Sequence, residues 1–539
     1  MRNLLITLFL SAVLLPGARV WDRNGANPAQ ASPPVASLSA GSPLGAELIE
    51  KIVQREHRFN AEMRHLKPLV ETYIQEVTDD PQNPVPVSDH YYLGRLQLDG
   101  NLKIHSFTRP SSLPHRLVAK LALLYELQFL PLGFAQMALL DDDFESKYYD
   151  FSFVRHEALG DVSCMVFQLQ PRANAGKGRF SGTIWVEERD YNIVRFRGIY
   201  APQPANGFYR YLHFDSWRTN VGPNLWLPAY IYSDEPDIKY GVGRSLSFRS
   251  QTRLWGYNLH PPTQLQEYTR IEFDTPGISD PADLLQDANP VNSSQQWEAE
   301  TETRALDRLQ VLGLLAAPGN TEKNLQNFID TLIETNHLDI QGDVHARVLL
   351  TSPLESFTVG HTIVVSRGWL DMAPGQATIA AVLAREVSHI ALGHDLNNDR
   401  ILFREEDTVE RLRPRRGPED EDAAHEMTLR LLSNSIYKGD LPEAAWFVGA
   451  ALEQAPQLKN LVHSLSNLTV EKAATLQGVN DPHPDPSVSR EAPLKPALGL
   501  DTWNDLLQVV TPGPPDTRKP VPLLLTETPP ILRRLQNGE

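Results

Sequence analysis

Residues 380–394 read AAVLAREVSHIALGH, a run whose surroundings decide how the C-terminal half of the chain folds. With Ile379 just before it, Val382 and Leu383 continue an apolar helical surface. Arg385 and His389 lie four apart and share a face, with Glu386 beside them. Two imidazoles at this spacing can converge on one Zn²⁺, and an intervening Glu can take a proton from the metal-bound water. Here the first of the two positions is Arg385, which stays protonated and offers no lone pair. Glu followed three residues later by His is common on solvated helix faces, so the flanks carry the weight.

Upstream, DVHARVLLTSPLESFTVGHTIVVSRGWLDM (343–372) reads as a strand, a loop and a second strand, and Ala373-Pro374-Gly375 turns the chain into the helix. Downstream come Glu421-Asp422-Ala423-Ala424-His425 with EMTLRLL, and then YKGDLPEAAWFVGA (437–450). These three segments, in this order, resemble the zinc metallopeptidase family of HtpX and the CAAX prenyl endopeptidases, of gluzincin type. The likeness spans about residues 320–455, and His394 matches the last position of that family's longer helix motif. It implies a mainly helical domain with a small sheet, a polypeptide substrate and zinc. By position His389 and Glu421 would be metal ligands and Glu386 the catalytic base.

Two departures matter. Arg385 replaces the first ligand, and His425 stands where the family has an acid four residues after the third. Two protein ligands rarely hold a catalytic zinc. The first reading is therefore a pseudopeptidase with a binding or chaperone-like role in the cell envelope. In it the Arg385 fork pairs with Glu421 or Glu386, and His425 points elsewhere. An alternative reading is an active zinc metalloendopeptidase in which His425, one turn from Glu421, is a relocated third ligand. His483, in DPHPD, reads as a loop histidine.

Ahead of this region, about 88–272, the texture is of strands. YYDFSFVR, VSCMVFQLQ, GTIWVEE, NIVRFRG, FYRYLHFDSW and LWLPAYIY are short, aromatic and β-branched, with turns such as Ala175–Gly178 between them. The apolar run 116–140 is expected to be helical and to fill one side of a curved antiparallel sheet. This order of strands resembles the open-barrel domains of periplasmic lipoprotein-sorting proteins. A third reading follows, a lipid or lipoprotein carrier acting through the β domain. Residues 46–77 place Leu48, Ile52, Phe59, Met63, Leu66, Val70, Tyr73 and Val77 on one stripe, predicting a long helix kinked at Pro68.

The fold class expected is α+β. The parts are a signal peptide at 1–31, a Pro/Ser-rich segment and helix at 32–87, and the β domain at 88–272. A linker at 273–300, a metallopeptidase-like domain at 301–510 and a Pro-rich tail at 511–539 follow. Within the second domain, Leu325, Phe328, Ile329, Leu332 and Ile333 make one apolar helix face. The basic start Met1-Arg2-Asn3, the apolar run 4–15 and candidate cleavage points at Gly17-Ala18 and Ala29-Gln30-Ala31 predict export to the periplasm or outside. The run is too short to span a bilayer, and no integral membrane anchor is expected. The formal net charge of −17 argues against a nucleic-acid partner, and the single cysteine, Cys164, allows no intrachain disulfide.

Overall fold

The computed structural model of the 539-residue chain describes residues 43–257, 302–394, 416–462, 468–478, 498–509 and 523–534. Within these spans, 81–82, 98–102, 108–130, 142, 204–210, 241–243 and 502–505 are not described. The signal peptide, the linker, His483 and most of the 116–140 run fall outside the described residues.

Ten strands form one antiparallel sheet. They are β1 (Leu69–Val77), β2 (Pro86–Gln97), β3 (Lys103–Ser106), β4 (Tyr149–Leu159), β5 (Val162–Pro171), β6 (Arg179–Glu187), β7 (Ile193–Ala201), β8 (Phe214–Gly222), β9 (Leu225–Tyr240) and β10 (Arg244–Trp255). Their order is β3-β2-β1-β10-β9-β8-β7-β6-β5-β4, so hairpins run from β4 to β10 and β10 returns beside β1. Two of its connections are tight turns, Gly160-Asp161 between β4 and β5 and Pro223-Asn224 between β8 and β9, with Gly160 (φ 65°) and Asn224 (φ 58°) in the left-handed region.

The period of two sends alternate side chains to opposite faces, and both faces are buried. One face carries Val70, Ile74, Phe167, Ile184, Phe196, Ile231 and Phe248. Two helices cover it, α1 (Pro43–Met63) through Ile52 and Val53, and α2 (Pro131–Gln136) through Phe134. The other face carries Tyr73, Cys164, Val166, Trp185, Trp217, Trp226 and Tyr230.

The long helix expected over 46–77 ends at Met63, and 69–77 is instead β1. Val70, Tyr73 and Val77 fall at helical spacing, but in the strand Val70 and Tyr73 face opposite sides of the sheet, both of them buried, and the helix stops five residues before Pro68. The β region consequently starts near residue 69, not 88.

In the C-terminal half, α3 (302–312) and α4 (Asn320–Asn336) precede β11 (His345–Leu349), β12 (Ser356–Val359) and β13 (Thr362–Ser366). β13 lies between β11, parallel to it, and β12, antiparallel. Then follow α5 (Arg367–Met372), α6 (Gln376–Ala391), α7 (Pro418–Ser433), α8 (Leu441–Gln454) and α9 (Val470–Gly478). On α4, Leu325, Ile329 and Leu332 are buried, the face expected from sequence.

On its other face the sheet shares a core with the C-terminal half. Trp185, Trp217 and Tyr230 of the large sheet belong to one buried cluster with Val365, Leu383 and Phe447. Polar contacts fix the junction: Ser352 donates through N and Oγ to the buried Glu71 at 2.7 Å each, and Arg253 donates to Asp371 at 2.7 Å. Asp89 accepts the backbone N–H groups of Asn460 and Leu461. Glu71 and Gln75 could not be recognised as interior positions because Ser352 and Leu523, which complete their hydrogen bonding, lie hundreds of residues away. Among the described residues, no helix is long and apolar enough to cross a membrane.

Candidate functional site

Helix α6 begins after Gly375, and every residue from Ala377 to His389 is buried. It is therefore a central helix, and its Arg385–His389 face looks into protein rather than water. α7 starts with Pro418 in its first turn, which suits the fixed φ of proline and its missing N–H. The first turn also holds Glu421. Ser388 Oγ and Thr428 Oγ1, 3.2 Å apart, tie the two helices and set Glu421 opposite Arg385.

The Arg385 guanidinium donates from Nη2 to Glu421 Oε2 at 2.6 Å and from Nη1 to Glu386 Oε1 at 3.1 Å. Arg416, just before α7, donates to Glu386 Oε2 at 2.9 Å and to Thr358 Oγ1 at 3.0 Å. Ser356 on β12 donates to Glu386 Oε1 at 2.8 Å. His389 Nε2 lies 3.7 Å from Glu421 Oε2, too long for a hydrogen bond, and its Nδ1 is 3.0 Å from His394 Nδ1. His425 turns to Thr475 on α9, at 2.9 Å.

Two guanidinium groups thus face two carboxylates in a buried, balanced set. Burial alone would raise the Glu386 carboxyl, but the charges of Arg416 and then Arg385 hold it down at about 2. Burial likewise opposes ionisation of Glu421, and the His389 contact with the Arg385 charge holds it at about 2. Desolvation, larger than any other influence, lowers the His389 imidazole, so it stays neutral near pH 7.

The donor set does not fit zinc. A metal would need His389, Glu421 and a third donor converging on one point, and Arg385 Nη2 already touches the Glu421 oxygen that lies nearest His389. Among the described residues, no group of three or more His, Cys, Asp or Glu side chains could hold a metal ion. Glu386, the base implied by the family likeness, is locked between two arginines and a serine, with both oxygens engaged. Glu421 Oε1, His389 Nε2 and Arg385 Nε are buried without a hydrogen-bond partner.

Sequence reasoning placed Arg385, Glu386, His389 and Glu421 together, and the structure juxtaposes them. It missed Arg416 and Ser356. The signal for Arg416 was present in RLRPRRG (411–417), a basic run directly before an acidic helix start. Nothing in ESFTVG marks Ser356 as a partner of Glu386.

No family model matches the chain, and no curated protein matches it. Among solved structures it is similar to a LolA superfamily protein from Nitrosomonas europaea. The two are 13% identical, the match covers 40% of this chain and 94% of that one, and the TM-score is 0.21, too slight to assign a function.

Proposed function

We propose that this chain is an exported polypeptide-binding protein of the cell envelope built on the scaffold of the HtpX and CAAX-type zinc metalloendopeptidases, with the peptidase chemistry closed off. The observation that supports it is Arg385 bridging Glu386 and Glu421. A fixed cation with a planar fork offsets two buried carboxylates much as a metal would, but it is no Lewis acid and activates no water. Arg416 supplies the second positive charge. The substitution keeps the charge balance of the helix pair while removing the electrophile.

Elemental analysis of the purified full chain tests the reading, together with hydrolysis of an unfolded protein such as casein. The wild type should carry no stoichiometric zinc and cleave nothing, and Arg385→His should gain zinc before any cleavage. Near-stoichiometric zinc in the wild type, lost in His425→Ala, would overturn the proposal in favour of a relocated ligand. A lipid-carrier role has no comparable support. The sheet face beneath α1 and α2 is filled by an aromatic cluster in which Phe180, Phe196 and Phe214 pack at 5.6 to 6.1 Å.

A further inference from the structure

Residues 523–534 cross the large sheet on the face that also meets the C-terminal half. On β1, Gln75 donates from Nε2 to the Leu523 carbonyl at 2.8 Å and accepts from the Leu525 N–H at 2.7 Å. Arg249 of β10 donates to the Leu525 carbonyl at 3.1 Å, and Tyr230 of β9 accepts from the Thr528 N–H at 3.0 Å. At the far end Asp161 N, in the β4–β5 turn, donates to the Leu532 carbonyl at 3.3 Å. Arg534 pairs with the buried Glu187 of β6, and with Asp190 at 3.0 Å.

Three features distinguish this segment from an ordinary core element. Its contacts run largely through its own backbone, which any extended chain presents. Only Leu523, Leu525 and Leu532 are buried, while 526–529, Ile531 and Arg533 are exposed. Leu523 also enters at φ 58°, in the left-handed region that is costly for a leucine. The sheet in turn is cut to receive a backbone. Gly160, at φ +65°, lies so close that a Cβ there would stand 2.2 Å from the Leu532 carbonyl oxygen. The buried Gln75 side-chain amide spends both its oxygen and its nitrogen on the segment's main chain.

We infer that this groove is a binding site for an extended polypeptide, filled in cis by residues 523–534. The occupant it fits is an unfolded segment with a Leu-x-Leu pair, a further apolar anchor, and a basic residue near its end for Glu187 and Asp190. Backbone reading supplies affinity with little sequence demand, and the leucine pockets and the acidic end supply the register. The tail is then a resident competitor that a client displaces. The inference rests on the polypeptide-binding reading above but not on the state of Arg385. A zinc-loaded, active wild type would overturn only the closed-off chemistry of that reading and leave polypeptide binding, and this inference with it, standing.

The test uses the full chain and a fluorescein-labelled synthetic peptide of residues 521–536. In the release variant Leu532→Asp/Arg534→Glu, still folded by its cooperative melt, the peptide should bind at least tenfold more tightly than to wild type. Adding Gln75→Ala should abolish that gain, and so should N-methylation of Leu525 in the peptide. A shuffled peptide that keeps the leucine spacing and terminal arginine should still compete. Failure of the folded release variant to bind, or binding indifferent to Gln75, would overturn the proposal. Because the release variant can fail to fold, hydrogen exchange on the wild type decides in parallel. The Leu525 and Thr528 amides should exchange by local opening, well ahead of the β1 and β10 amides. Exchange of both only with global unfolding makes the segment part of the core and sinks the idea.

Discussion

Arg385 and Glu421 lie 36 residues apart in sequence and 2.6 Å apart in space, on two helices, with both side chains almost wholly buried. The same guanidinium reaches Glu386, so one side chain neutralises charge contributed by two elements. Removing one member of a buried pair strands the other, whereas removing both does not. Arg385→Met should therefore cost about 3 kcal/mol of unfolding free energy. Arg385→Met/Glu421→Gln should cost clearly less than the sum of the single changes, with a coupling of about 2 kcal/mol. Urea denaturation of the four proteins of the cycle measures it, and strict additivity would contradict the pairing.

A second buried pair holds the N-terminal helix to the sheet. Glu56 on α1 accepts two hydrogen bonds of 2.7 Å from Arg218 on β8, and neither side chain is more than 2% exposed. The guanidinium also lies 3.7 Å from the centre of the Phe59 ring. Glu56→Ala should destabilise the chain by about 3–5 kcal/mol, since the arginine is left charged and dry. Glu56→Leu/Arg218→Met should recover most of that loss, and a loss equal to Glu56→Ala in thermal melts would refute it.

What the sequence revealed and what it hid follow one physical division. Strand texture from 148 to 232 was legible because aromatic and β-branched residues alternate there and turn residues intervene. The helix carrying Arg385 was legible from its apolar face and its flanks. Hidden were contacts that no local pattern encodes: Glu71 beneath Ser352, Gln75 reaching Leu523, Arg416 reaching Glu386. In each, a polar group inside the protein is completed by a partner far from it in sequence. The β1 segment was misread for the same reason, since buried Glu71 and Gln75 spoil the alternation that would have marked a strand.

The middle of the sheet holds a close approach that a single methyl would disrupt. Gly182 on β6 and Gly198 on β7 face each other, and a Cβ on Gly198 would sit 2.8 Å from the Gly182 Cα and 2.2 Å from the Ser181 carbonyl oxygen. The Phe180 ring lies over the gap, 2.9 Å from that hypothetical Cβ. Gly198→Ala should thus destabilise by about 1–3 kcal/mol, against the usual gain from replacing a strand glycine. Combining it with Phe180→Leu should relieve part of the strain if the ring is the obstacle, read as a higher melting temperature than the single variant shows.

The tail segment 523–534 should respond to pH through Glu527. Although its residue is exposed, the carboxyl of Glu527 is partly covered, and that partial burial raises it, with the neighbouring Asp215 raising it further against the charges of Arg197 and Arg195. Asp215 is itself held by Arg195, at 2.9 Å from Nε to Oδ1. A group whose folded pKa lies above its unfolded value favours the docked state while protonated. Its contribution is complete below the unfolded value of about 4.3 and fades as pH rises through the folded one. Docking should consequently weaken from acid toward neutral pH, and Glu527→Gln should hold its low-pH level of docking across that window. Arg534 works the other way, because burial opposes ionisation of Glu187 but the Asn192 hydrogen bonds and the Arg534 charge keep its pKa low. That contact is complete above the carboxylate range and fails only when pH drops through the lowered value. Exchange protection of the Leu525 and Thr528 amides, corrected for intrinsic rates and compared between wild type and Glu527→Gln, isolates the first effect. Protection that rises with pH in the wild type, or an identical profile in the variant, would remove Glu527 from any part in seating the tail.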